Sequence, residues 1–133
     1  MQITLLIIFL VLTALNAVID ANKIAAGKTI YHATEYLIFL GSCIAVSFAC
    51  NFLFHEDVEW FILIVATIVG STVARTAFFN FILNKLRGLP LSFESTSTSS
   101  GIDQLEEKLG INQWIVSVIF ISIWTVLLFI KII

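Results

Sequence analysis

Four long apolar runs divide the chain. They cover about residues 3–21, 30–54, 60–83 and 114–130, each interrupted only by scattered polar positions. A bilayer core takes roughly twenty apolar residues of helix, and runs of this length exceed what a core strand needs. Each run therefore predicts a transmembrane helix. The connections 22–29 and 55–59 are tight, so neighbouring helices must run antiparallel. Only the connection 85–113 is long.

Inside that connection the pattern changes again. Arg87-Gly88-Leu89-Pro90 stops the third helix, because glycine and proline both break helical continuity. Residues 95–100 are all Ser or Thr and read as a flexible linker. Ile102, Leu105 and Leu109 then share one face of a short helix over 102–109, closed by Gly110 at the C′ position. Ser100 with Asp103, or Asp103 with Glu106, offers a capping pair at its start. An amphipathic helix of this kind lies at the membrane surface. The predicted fold is an all-α integral membrane protein: a four-transmembrane-helix bundle, one unit over 1–133, with an interfacial helix before the last span. No internal repeat is visible, so a pseudo-symmetric transporter is not supported.

Composition agrees. The 133 residues are 59% hydrophobic and 12% charged, against about a quarter charged in a soluble domain. Four spans leave almost no material for a soluble domain. A net charge of −2 argues against nucleic acid as a partner, since that role needs a basic surface. Met1-Gln2-Ile3 runs into the first apolar stretch without a positive leader, and no small-x-small cleavage site follows. That predicts an uncleaved first helix. Cys43 and Cys50 stand seven residues apart in one run, about 10 Å along a helix axis. They are too far apart to bond within it and read as free buried thiols.

Charge then sets orientation. The first and third connections carry Lys23, Lys28, Lys85, Arg87 and Lys108, whereas the opposite side carries Lys131 and the acidic Glu56, Asp57 and Glu59. The positive-inside rule places 85–113 in the cytoplasm and both termini outside it. Trp60, Trp114 and Tyr31 near span ends fit an interfacial aromatic belt.

The candidate chemistry is an intramembrane polar cluster of Asn16, Asp20, His32, Glu35, Arg75, Thr76 and Asn80. A charge at the bilayer centre costs about 2.5–3.5 kcal/mol on insertion scales, so such residues face the bundle interior or water. The four ionisable members all fall in the cytoplasmic half. Thr13, Asn16, Ala17 and Asp20 follow the i, i+3, i+4, i+7 spacing of one helix face. His32 and Glu35 are three apart, and Glu35, Ser42 and Ala49 repeat at seven. Thr72, Thr76 and Asn80 form a row beside Arg75. The fourth span offers only Ser117, Ser122 and Thr125, which predicts a helix packed at the side.

Plainer readings exist for each. Asp20 is close enough to the boundary to be interfacial, and His32 and Glu35 lean toward headgroup water. The stem of Arg75 leans away from its nearer surface, which predicts an internal partner. Glu35 is the preferred partner and Asp20 the alternative. Such a pair can be purely architectural, fixing the register of the bundle.

Asp20, His32 and Glu35 would supply three donors to a metal, an unspecific set, and the turn at 55–59 reads as a solvated acidic turn. No nucleophile elbow, phosphate loop or dinucleotide glycine pattern is present, and the sequence leaves any cofactor unknown. Packing signals are stronger. Gly41, Ala45 and Ala49, and likewise Ala66, Gly70 and Ala74, form small-xxx-small rows that let helices approach closely in lipid. One row suffices within the bundle, so the other suits self-association or a partner subunit.

Two functional readings follow. The first is a small non-enzymatic membrane protein, either an oligomeric or accessory subunit or a bundle that passes an ion or proton through the polar cluster. The second is a membrane-embedded, metal-dependent enzyme working through Asp20, His32 and Glu35.

Overall fold

The computed structural model describes residues 2–55, 57–91, 110 and 113–129. The described residues form four α-helices, α1 (Gln2–Ala25), α2 (His32–Leu53), α3 (Trp60–Leu86) and α4 (Gln113–Phe129), and contain no strand. α1, α2 and α3 are each long and apolar enough to cross a membrane, and α4 is shorter at 17 residues. The 95–100 stretch and the 102–109 helix expected before α4 lie outside the described residues.

Local chemistry sets the helix ends. α1 runs past Ala21 to Ala25 and stops at Gly27, whose φ of +67° favours glycine. There the Gly27 amide donates to the Ile24 carbonyl and the Lys28 amide to the Lys23 carbonyl. This pair of bonds satisfies carbonyls that the helix end would otherwise orphan. α3 ends the same way at Gly88, with Gly88 donating to Lys85 and Leu89 to Asn84. The Asn84 side chain also donates to the Leu91 carbonyl at 3.2 Å, tying the first residues of the long connection to the helix.

α3 is the central helix. Its most extensive contact is with α1, followed by α4 and then α2, while α1 and α4 barely meet. The α1–α3 contact is close because Gly70 lacks a side chain. A Cβ there would lie 3.1 Å from Phe9 Cε2 and 3.4 Å from Leu6 Cδ2. Ala74, one turn on, is fully buried. The Ala66–Gly70–Ala74 row therefore works inside the bundle, whereas Gly41, Ala45 and Ala49 are exposed on α2, with open space around Gly41.

Leu5, Leu6 and Phe9 of α1 meet Phe39 and Cys43 of α2 and Leu63 of α3 in the core. Cys43 and Cys50 are buried free thiols. Two hydrogen bonds staple α2 to α3, Thr67 Oγ1 to Ser47 Oγ and Tyr36 Oη to Thr72 Oγ1, both at 2.8 Å. α4 lies at the side on α3. Ser117 Oγ reaches the Thr76 carbonyl at 3.4 Å, and Trp124 packs edge-on against Phe78. Ser122 and Thr125 are exposed, and each donates to a carbonyl of its own helix.

Candidate functional site

The inward face of α1 is polar toward its C-terminal end. Thr13, Asn16, Ala17 and Asp20 are 0%, 8%, 0% and 1% exposed, so the spacing on this helix marks its buried face. Thr13 satisfies itself by donating to the Phe9 carbonyl. Asn16 meets half-buried Arg75 of α3, and Asp20 lies one turn further along the same buried face of α1.

Arg75 Nη1 donates to Asn16 Oδ1. Its guanidinium also lies over three aromatic rings, with Cζ 4.2 Å from the centroid of Phe79, 5.1 Å from Phe39 and 5.8 Å from Tyr36. Cations are attracted to ring faces within about 6 Å. The cation thus rests on an amide and an aromatic box.

This overturns the expected Arg75–Glu35 ion pair. Glu35 is held by Lys23 through a salt bridge. The reason is geometric. The Gly27 turn folds the last turn of α1 directly over the first turn of α2, so Lys23 meets Glu35 at the joint. Each charge also sits at the helix end whose dipole favours it. The seven-residue row from Glu35 does not lead inward either: Ser42 and Ala49 are exposed, and α2 buries Phe39, Cys43, Ser47 and Cys50 instead.

Asp20 is the anomaly. Both of its carboxylate oxygens are buried without a hydrogen-bond partner. The other such atoms among the described residues are Asn51 Oδ1 and Trp124 Nε1, which belong to neutral groups. An orphaned carboxylate is far costlier if ionised. Glu35, Arg75, Lys23 and His32 all act on Asp20 electrostatically. Charged residues of α1 and α2 gather where α1 closes and α2 opens, and Arg75 of α3 sits deeper, beside Asn16.

Of the predicted cluster, Asn16, Asp20 and Arg75 come together, with Glu35 and His32 at the margin. The Thr76 backbone carbonyl accepts from Ser117 of α4, and no bond of its side chain to Arg75 or Asp20 is seen among the described residues. Asn80 is half-buried, and among the described residues no hydrogen bond links it to Arg75 or Asp20. Asp20, His32 and Glu35 do not assemble a metal-holding group among the described residues. The aromatic box was missed, although Phe79 follows Arg75 at i+4 and Tyr36 precedes Phe39 at i+3, spacings that place each pair on one face.

No family model, curated protein or solved structure matches this chain.

Proposed function

We propose that the chain is a small multi-pass membrane protein that takes up and passes protons through the Asn16–Asp20–Arg75 centre. The observation that carries this is Asp20, fully buried with both oxygens unpartnered among facing charges. A carboxyl in that setting is stable as the neutral acid or against a nearby cation. Among the described residues Lys23 is taken up by Glu35, whereas the Arg75 guanidinium is bonded to a neutral amide and no carboxylate holds it. Ionisable residues within membrane spans mark proton and ion routes. Membrane insertion is supported by the apolar length of α1–α3 and by outward faces such as Ile7, Val11, Leu37, Phe52, Phe61 and Val65.

The test is proton flux. Purified protein in liposomes with an internal pH dye, under an imposed potassium diffusion potential, is expected to acidify or alkalinise the lumen faster than protein-free liposomes. Equal rates would reject the reading. Orientation follows the lysine and arginine bias: reporter fusions at Ser97 should read as cytoplasmic and those at Ile133 as external. The reverse pattern would move the centre to the outer half of the bilayer.

The second reading, an oligomeric or accessory subunit, is favoured by the outward Gly41–Ala45–Ala49 row. Rows of this kind pack helices in lipid. Native mass spectrometry from mild detergent should then show oligomers or a co-purifying subunit, both weakened by Gly41→Leu. A clean monomer would count against association. The metal-dependent enzyme gains no support from the donor geometry, because Lys23 occupies Glu35.

A further inference from the structure

Building on the proton-passing reading, we propose that Arg75 is a movable counter-ion with two seats on α1. It rests on Asn16 while Asp20 holds a proton, and it moves to Asp20 once that proton leaves.

Asn16 and Asp20 are four residues apart on one buried face, hence about 6 Å along the helix axis. Arg75 occupies the first of these positions and leaves the second without a hydrogen bond. The guanidinium has five N–H donors, and its Nη1 hydrogen bond goes to a neutral amide. The rings of Phe79, Phe39 and Tyr36 hold it by their faces. Such contacts tolerate sliding better than a forked carboxylate pair does. A flexible arginine stem can cover one helical turn without moving the backbone.

The groups facing Asp20 decide which cation answers its ionisation. On its own helix stands Lys23, and α2 contributes Glu35 and His32. Lys23 and Glu35 neutralise each other across the joint. α3 contributes Arg75, whose guanidinium lies over the Tyr36 ring. The described length of α4 contains no charged residue. The step is a simple dissociation. The Asp20 carboxylic acid becomes a carboxylate, its proton passes to water at this end of the bundle, and the O–H bond is the bond that breaks. Before it, Asp20 and Arg75 together carry one positive charge; after it, they carry none. That neutralisation in low dielectric is what draws the guanidinium across.

The experiment follows both groups in the full chain in lipid nanodiscs, from acid to alkaline pH. Arginine labelled with ¹⁵N in the guanidinium reports Arg75, with Arg87→Lys used to assign the two arginine signals. Infrared difference spectra report the protonated carboxyl, assigned by its loss in Asp20→Asn. The Arg75 signal should shift in a single step that coincides with loss of the carboxyl band. In Asp20→Asn that step should vanish, with Arg75 fixed at its acid-side position. Asn16→Ala removes the first seat and should displace the step to lower pH. An Arg75 signal that stays fixed while the carboxyl titrates overturns the switch, as does a step that survives in Asp20→Asn. Coincident titration without proton flux in liposomes leaves the switch standing and overturns only the transport reading. Flux with a stationary Arg75 does the opposite.

Discussion

Arg75→Leu is expected to destabilise the protein by about 2–4 kcal/mol in detergent, read as a lowered thermal midpoint. The loss has two parts. The hydrogen bond from Nη1 to Asn16 Oδ1 disappears, and a bond involving a charged group contributes about 1.5–3 kcal/mol. The stacking over Phe79, Phe39 and Tyr36 goes with it, at about 0.5–2 kcal/mol for each desolvated contact. These contributions overlap, so their full sum is not expected. Asn16→Leu alone should also destabilise, because it leaves buried donors unpaired. The Asn16→Leu/Arg75→Leu double variant should lose less than the two singles together, by about 1–2 kcal/mol of coupling. Coupling between Arg75 and Glu35 should be smaller, since Glu35 is bound to Lys23. A cycle in which Glu35 couples more strongly than Asn16 would contradict the observed pairing.

Gly70→Leu should be damaging too, for a steric reason. Even the first carbon of a side chain at Gly70 would stand 3.1 Å from the Phe9 ring and 3.4 Å from Leu6. A leucine would drive α1 off α3 along the largest contact in the bundle. Overpacking of this type costs about 1–3 kcal/mol and sometimes more. Gly41→Leu is the matched comparison, because nothing lies within 4 Å of a Cβ there. It should leave the monomer's midpoint almost unchanged. Equal losses at both glycines would mean that the α1–α3 approach is not what Gly70 provides.

The contrast between these two glycines shows what could be read in advance. Both stood in small-xxx-small rows, and the rows themselves are a property of one helix. Which row faces inward is a property of the packed bundle. In a soluble protein the polar side of a helix reveals its outer face, but here the outer face is apolar as well, so hydropathy offers no contrast. Ser42 and Ala49 illustrate this: a seven-residue repeat from Glu35 pointed outward. On α1 the polar positions were dense enough to decide the matter, and Thr13, Asn16, Ala17 and Asp20 are all buried.

Partners were less legible than faces. An arginine in the middle of an apolar run calls for an internal partner, but the partner is Asn16 and not Glu35. At the turn through Gly27, which joins α1 to α2, Lys23 is paired with Glu35. The aromatic rings around Arg75 come from two helices, α2 and α3. Their convergence depends on the α2–α3 register held by Tyr36–Thr72 and Ser47–Thr67. No local spacing encodes it.

The most direct measurement of the central claim compares proton flux through wild type, Asp20→Asn and Ser122→Ala in the same liposomes under the same imposed potential. Asparagine keeps the shape of Asp20 and removes its exchangeable carboxyl proton, while Ser122 faces outward on α4. The account predicts flux in wild type and in Ser122→Ala, with Asp20→Asn reduced to the protein-free baseline. Undiminished flux in a folded Asp20→Asn protein would contradict it.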